Sequence, residues 1–373
     1  MEAVSWVVIV LLMTASARRL VLLCGALFPR PSAPTSEVLP SILAVIPAYD
    51  EEAQIEPLLR SLERLDYPPE QLSFVLVDDG STDGTAEAFR RWCRNQSRAR
   101  TIVFDTNLGK ASSINAALKA EPNTQLLAIY DADQRPRPDS LRKLAQSFRD
   151  SRVGAVSGYR RPTNAEHGIV SRYAALESWV HQLIVQSGKD RWGWNPTTMG
   201  GNCVYRRTAV ADVGGFPERT CGEDVDVSLA LIAKGWRTVF LRGAIADSGI
   251  SQSLREFIFQ RVRWTYGMYG AGRHARSIEA LMVSSGYADR LAFAVGCLFA
   301  VTGRISAGWL AIYLSAPFLE VVAALAKAGR LHMAPVYFLS AVPMFFLDIA
   351  LTAYGTSRTL ARRRPLWSSR AEA

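Results

Sequence analysis

Several short stretches of this chain have the residue types and spacing to do chemistry, and most of them stand where an apolar run stops. Residues 126–130, Leu-Leu-Ala-Ile-Tyr, run directly into Asp131-Ala132-Asp133. So short and wholly apolar a run reads as a strand buried on both faces of a parallel sheet. If the backbone stays extended through Asp133, the two carboxylates project to one side. They would then offer hard oxygen ligands to a divalent cation that holds a diphosphate. A strand that merely ends in a turn would also use aspartate. Val77 likewise leads into Asp78-Asp79-Gly80-Ser81. A carboxylate at such a strand end can accept a hydrogen bond from a base N–H or a ribose hydroxyl; a capped loop without a ligand is the plainer alternative. Asn107-Leu108-Gly109-Lys110 sets a lysine at a helix start, within reach of a phosphate.

Two further groups lie downstream. Glu223 and Asp224 follow Gly222 at the start of an amphipathic pattern (Val225, Leu229, Ile232), where a helix N-terminus stabilises negative charge. Acidic residues placed there only for the helix dipole would look the same. Gln260, Arg263 and Trp264 are spaced i, i+3 and i+4, so a helix puts them on one face. An amide, a guanidinium fork and an aromatic plane together suit a phosphorylated sugar. They also suit a core or membrane-interface trio.

The elements that must position these groups alternate. Residues 42–46, 73–77, 101–104, 126–130 and 153–157 are short β-rich runs, and residues 51–65, 86–95 and 111–120 read as helices between the first four. Strands alternating with helices of this length predict an α/β fold with a mostly parallel sheet and helices on both faces. The first strand is followed by Pro47-Ala48-Tyr49-Asp50-Glu51-Glu52, so the glycine-rich dinucleotide fingerprint is absent and a nicotinamide-dependent oxidoreductase is disfavoured. Gly200 to Arg207 reads as a short strand closed by two arginines, and 253–266 as the helix that carries Gln260, Arg263 and Trp264.

Composition adds a membrane. The chain has 373 residues and a net charge of +9, and much of the basic excess is arginine beside apolar segments rather than spread over a nucleic-acid-binding face. Residues 4–17 are almost wholly apolar, Arg18-Arg19 follow, and a second apolar run covers 20–28. Ala15-Ser16-Ala17 resembles a signal-peptidase site, but no positive charge precedes the run, so an uncleaved span is expected. Further apolar stretches cover 291–326, interrupted by Arg304 and Glu320, and 333–356, interrupted by Asp348. They read as a re-entrant or interfacial segment near 291–303, then spans over 305–326 and 333–356. Ionisable residues at such depth are expected to face protein, a partner or a polar path. The arginine distribution places the middle of the chain and the C-terminus in the cytoplasm. The expected organisation is therefore a transmembrane segment (1–28), a linker (29–40), an α/β domain (41–250), interfacial helices (251–285), a membrane region (286–356) and a basic tail (357–373). Five cysteines with no C-x-x-C spacing fit a reduced compartment and exclude a zinc site.

Taken in order, Asp78-Asp79-Gly80-Ser81, Asp131-Ala132-Asp133, Gly222-Glu223-Asp224 and Gln260-Arg261-Val262-Arg263-Trp264 resemble the D, DxD, TED, QxxRW signature of inverting family 2 glycosyltransferases. The likeness is nearest to the membrane-embedded synthases of poly-N-acetylglucosamine, hyaluronan, chitin and cellulose, and covers about 39–269. It implies a GT-A fold, a UDP-sugar donor and Mg²⁺ or Mn²⁺. Carried over, Asp78, Asp79 and Lys110 would hold the UDP, and Asp131 and Asp133 the metal and diphosphate, with Asp133 the more direct ligand. Asp224, beside Glu223, would be the general base, Gln260 and Arg263 would stabilise the diphosphate, and Trp264 would stack on the acceptor sugar. Gly222 departs from the usual threonine, a change expected to loosen Glu223 and Asp224. The acceptor would be a growing β-linked polysaccharide. The alternatives are a single transfer to a membrane lipid, or a non-catalytic membrane scaffold. An inner-membrane protein with a cytoplasmic catalytic domain is expected, with an accessory membrane subunit or a second copy as a partner and no nucleic acid.

Overall fold

The computed structural model describes residues 2–28, 38–218, 222–271 and 278–360. Most of the linker at 29–40, Cys221 and most of the basic tail lie outside them. The chain divides into two compact units. Described residues within 38–163 and 195–249 form a sheet unit; those within 2–28, 164–194 and 250–360 form a helical unit. Residues 164–194, which fall inside the sequence-read 41–250 domain, group with the helical unit.

Helix α1 (Glu2–Leu27) precedes the sheet unit, whose first half alternates as β1 (Ile42–Ala48), α2 (Glu52–Leu62), β2 (Leu72–Asp78), α3 (Thr85–Cys93), β3 (Ala99–Val103), α4 (Lys110–Ala120) and β4 (Leu126–Ile129). The alternation then fails. β5 (Gln134–Pro136), α5 (Ser140–Gln146) and β6 (Val153–Pro162) follow, and α6 (Ile169–Trp179) and α7 (Ser187–Trp192) return to the helical unit. β7 (Cys203–Arg206), α8 (Arg207–Asp212), α9 (Glu223–Ala233) and β8 (Arg237–Ser248) complete the sheet unit.

The strands order as β3-β2-β1-β4-β7-β6-β8-β5. The first four pair in parallel, β7 runs antiparallel to both its neighbours, β6 and β8 are parallel, and β5 is antiparallel to β8. The parallel expectation therefore holds for the half built from strand–helix–strand crossovers. It gives way where a tight turn replaces a helix after β4. Alternate residues of β1 feed two cores. Ile42, Ala44 and Ile46 meet α2, α3 and α5 through Leu58, Phe89 and Leu141. Leu43 and Val45 meet α4, α8 and α9 through Ile114, Val210 and Leu231. Strands covered on both faces must be apolar throughout, which is why β1 and β4 are buried at every position. Chain order reverses between β1 and β4, the kind of switch point whose carboxyl ends bind ligands in open α/β sheets.

The helical unit adds α10 (Leu254–Ala271), α11 (Ile278–Val301), α12 (Ala307–Lys327) and α13 (Ala334–Leu360). Among the described residues, three helices are long and apolar enough to cross a membrane, at Glu2–Leu27, Ala307–Lys327 and Leu331–Arg358. Two sequence expectations change here. The stretch read as a separate re-entrant segment near 291–303 is, up to Val301, the end of the single helix α11. Arg18 and Arg19, read as a charged flank between two apolar runs, lie inside one continuous helix and pair with Asp289 of α11; Arg19 also reaches Glu320 of α12. Buried carboxylates partner those guanidiniums, so helix continuity carries no unpaired charge. Glu320 and Asp348 are both buried, as expected of ionisable residues in apolar helices, whereas Arg304 is exposed and stacks over Phe299 at 5.3 Å.

Candidate active site

The sheet unit gathers seven of the sequence-read residues at strand ends and helix starts. Asp78 closes β2 with only 1% of its surface exposed, and its Oδ1 has no hydrogen-bond partner among the described residues. A buried carboxylate oxygen in that state is costly until a donor reaches it. Its neighbour Asp79 is engaged twice over: Oδ1 accepts from the Leu108 N–H and Oδ2 from the Gly109 N–H, both at 2.8 Å. These bonds pin the loop that leads into α4, so that Lys110 becomes the first residue of that helix.

Lys110 then points back to the end of β4. Its ammonium pairs with Asp131 Oδ1 and donates to the Gly200 carbonyl at 2.9 Å. Burial alone would pull the ammonium pKa down, but Asp131 and Glu223 outweigh it and hold Lys110 above its ordinary range. Asp131 Oδ2 accepts from the Gln134 side-chain amide at 3.1 Å, and Arg160 of β6 lies 3.9 Å from the same oxygen.

The extended geometry anticipated for Asp131-Ala132-Asp133 is not what forms. β4 ends at Ile129, and a tight turn closed by the Gln134 N–H donating to the Asp131 carbonyl (3.0 Å) carries both aspartates. Once the period of two is lost, their carboxylates take different partners. Asp131 faces Lys110, Gln134 and Arg160, while Asp133 Oδ2 accepts from Ser248 Oγ at the end of β8, at 3.1 Å.

Glu223 and Asp224 occupy the first turn of α9, as the sequence indicates. Gly222, where the signature usually has a threonine, adopts φ +85°, a left-handed conformation that a β-branched residue strongly resists. The glycine thus suits the helix entry. Further bonds hold Asp224 in place: its carbonyl accepts from Thr198 Oγ1 (3.1 Å) and Ser228 Oγ (2.6 Å), and its Oδ1 from the Val225 N–H (2.9 Å). Burial, reinforced by the negative charge of Glu223, pushes the Asp224 carboxyl up to about 7, against the opposing pull of Lys110.

Gly200 and Gly201 link these groups, and their role was invisible in the sequence beyond the pairing of two glycines. A methyl group on Gly200, whose φ is +80°, would stand 3.3 Å from Lys110 Nζ and 3.4 Å from Asp224 Oδ2. The lysine of α4 and the acid of α9 therefore converge on one bare stretch of backbone. A methyl group on Gly201 would strike the Asp131 carboxylate and the Gln134 amide. Gly201→Ala is accordingly expected to displace Asp131 and to lower turnover at least about tenfold, since misplacing a site group by an ångström has effects of that order or more. Unchanged turnover in a folded variant would show that Asp131 can move without consequence. Arg160 and Ser248 also escaped sequence reading, because their partners lie far away in the sequence; Gln134 escaped although its partner Asp131 is only three residues away. Arg206, which closes β7, and Arg207, which opens α8, are structural: they donate to the backbone carbonyls of Val153 and Glu121, among others.

Within the helical unit, α10 places Gln260, Arg263 and Trp264 on one face, as their spacing requires. Gln260 Oε1 accepts from Ser251 Oγ at 3.3 Å, and Trp264 is 41% exposed.

A family model described as "Glycosyltransferase like family 2" matches residues 40–267, which include every one of these positions. The chain belongs to glycosyltransferase family 2. This transferase is 27% identical over 233 residues to the "Probable glycosyltransferase YdaM" of Bacillus subtilis (strain 168), a match covering 61% of the chain and 55% of the relative. It is 30% identical over 251 residues to the "Cellulose synthase catalytic subunit [UDP-forming]" of Xanthomonas axonopodis pv. citri (strain 306), covering 64% of the chain and 33% of that protein. The chain thus spans about half or less of these relatives. Among solved structures, its fold resembles that of the mannosyltransferase PcManGT from Pyrobaculum calidifontis, determined with GDP-Man and Mn²⁺, with a TM-score of 0.64 and 22% identity; the match covers 93% of this chain and 99% of that one. The GT-A-like α/β fold implied by the motifs is the fold found, with a mixed sheet where a mostly parallel one was expected.

Among the described residues no group of three or more His, Cys, Asp or Glu is arranged to hold a metal ion by itself. The donor set at the β4 turn is two carboxylates, Asp131 and Asp133, with Asp131 shared with Lys110. Two hard oxygens suit Mg²⁺ or Mn²⁺ when substrate phosphates and water complete the shell.

Proposed function

We propose that this transferase is membrane-embedded and moves a sugar, with inversion, from a UDP-sugar to a growing β-linked polysaccharide. The observation that carries the reading is the convergence of Asp224 and Lys110 on Gly200, with Asp131 bound to the same ammonium. A base and a cation side by side on bare backbone match what displacement at an anomeric carbon needs. Asp224 takes the proton of the acceptor hydroxyl while its oxygen bonds to the anomeric carbon. The bond from that carbon to the diphosphate oxygen breaks, and the negative charge leaves with UDP. Lys110 offers that charge an ammonium already held in place. A divalent cation at Asp133 and Asp131 would supply Lewis-acid neutralisation of the diphosphate. Asp78 offers its partnerless buried oxygen to a base N–H or ribose hydroxyl, and Asp79 shapes the loop beside it. Glu223 tunes Asp224 upward. Gln260 and Arg263 take the diphosphate and Trp264 the acceptor ring, roles that rest on the motif.

The cellulose synthase resemblance supports UDP as the leaving group and a polymer as the product. The three candidate crossings among the described residues favour a second reading, since so few helices make a narrow basis for a self-contained polymer path. That reading is a single transfer to a membrane lipid. Radiolabelled UDP-glucose and UDP-N-acetylglucosamine incubated with membranes containing the protein separate the two. High-mass product that remains at the origin is expected, whereas one mobile lipid spot would replace the polymer by the glycolipid. The inner-membrane location with the sheet unit in the cytoplasm is part of the proposal, because that compartment holds nucleotide sugars.

A further inference from the structure

Helix α10 carries two stripes. Gln260, Arg263 and Trp264 form one; Phe257, Arg261 and Thr265, spaced by four, form the other, and all three of the second stripe are buried. Phe257 packs with Tyr173 of α6 and with Met344 and Leu351 of α13. Gly355 of α13 lets Thr265 approach so closely that a methyl group there would stand 2.9 Å from its Cβ. A guanidinium in the middle of such a stripe needs explanation, because an isolated buried charge costs several kcal/mol.

Arg261, 6% exposed, is compensated by a four-charge cluster. It pairs with Glu177 of α6 and lies 3.4 Å from Asp348 of α13. Arg290 of α11 closes the ring, 2.7 Å from Glu177 and 2.9 Å from Asp348, and the Tyr173 hydroxyl donates to Asp348 at 3.2 Å. Two cations and two carboxylates leave the cluster neutral. The Arg261 guanidinium also lies 4.7 Å from the Phe257 ring centroid and 4.9 Å from that of Trp264. The exposed indole thus rests on a cation clamped from two other helices. A planar guanidinium can bridge two carboxylates through its fork of N–H groups while laying its flat face on a ring, a geometry the point charge of a lysine ammonium does not reproduce.

We propose that Arg261 is a positioning residue: anchored by Glu177 and Asp348, it fixes the plane of the Trp264 indole and so the seat of the acceptor sugar. This rests on the reading of Trp264 as the acceptor platform. Arg261 does not contact substrate; it acts through the ring.

The test uses the full chain in nanodiscs, labelled with 5-fluorotryptophan, with the ¹⁹F resonance of Trp264 assigned by Trp264→Phe. Arg261→Lys keeps the buried charge, and Arg261→Met combined with Asp348→Asn keeps the cluster neutral. Each is expected to shift or broaden the Trp264 resonance while the other tryptophans hold theirs. With UDP-glucose or UDP-N-acetylglucosamine, whichever the wild type turns over, kcat should fall about tenfold with the donor KM held within about twofold. A Trp264 resonance unmoved in both variants would overturn the proposal, and so would a collapse of all tryptophan resonances together, which would make Arg261 a structural staple. Trp264→Ala separates the two claims. Normal turnover in that variant would remove the acceptor-platform reading, while the resonances still decide whether Arg261 sets the ring.

Discussion

Asp224→Asn is expected to bind donor as the wild type does and to lose about 10²–10⁴ in transfer rate, the usual contribution of a general base. The environment of Asp224 makes the prediction specific. Burial and Glu223 hold its carboxyl near 7, so the basic form appears only as pH rises through that value. The kcat/KM profile of the wild type should therefore climb through about pH 7. Lys110 favours the ionised form, so Lys110→Met should move that acid limb to higher pH as well as weaken donor binding. The same upward shift has a cost in stability. A carboxyl that stays protonated longer in the fold than in the unfolded chain makes the fold less stable as pH rises from the ordinary carboxylate range to about 7. Asn cannot ionise, so Asp224→Asn should melt above the wild type at pH 8 and not at pH 4, while turning over far more slowly. A raised carboxyl that costs stability is what activity–stability conflict looks like at the base proposed here.

Asp133→Ala should abolish metal-dependent UDP binding. Of the two aspartates in the β4 turn, Asp131 is paired with the Lys110 ammonium and flanked by Arg160, whereas Asp133 accepts from the Ser248 hydroxyl and shares its charge with Arg135. A carboxylate already neutralised by an ammonium is the weaker cation ligand. Calorimetric titration of UDP with Mn²⁺ present should show at least about a hundredfold loss of affinity for Asp133→Ala, the upper range for losing a metal-site group. Removing Mn²⁺ should reduce the wild type to the level of the variant. UDP binding that Asp133→Ala and EDTA both leave intact would dismiss a cation at this turn.

The sequence made the first half of the sheet legible because each strand there is a short apolar run and each crossover a helix with punctuation at its ends. Beyond β4 the signals weaken for physical reasons. β5 is three residues long and largely polar, and β8 alternates buried and half-buried positions with charged residues between them. The acidic residues of the candidate site stood out because a carboxylate at the end of an apolar run is conspicuous. Their geometry was not: nothing local to Asp131-Ala132-Asp133 distinguishes an extended end from the turn closed by Gln134. Nor could Arg160 or Ser248 be found, since their neighbours lie on strands far away in the sequence. The aromatic and basic residues of α10 were legible by helical spacing, while the role proposed for Arg261 between them depends on Glu177, Arg290 and Asp348, which come from three other helices. Arg18 and Arg19 show the same limit. Read locally they end an apolar run; paired with Asp289 and Glu320 they lie within one helix.

Nucleotide release measured across UDP-glucose, UDP-N-acetylglucosamine, UDP-galactose and GDP-mannose tests the central claim most directly, with Mn²⁺ or EDTA, for the wild type and for Asp224→Asn. The expected result is metal-dependent release of UDP from at least one UDP-sugar by the wild type, abolished by EDTA and reduced at least about a hundredfold in the variant. Release from no donor would make the protein a non-catalytic scaffold, and release unaffected by Asp224→Asn would show that the base lies elsewhere.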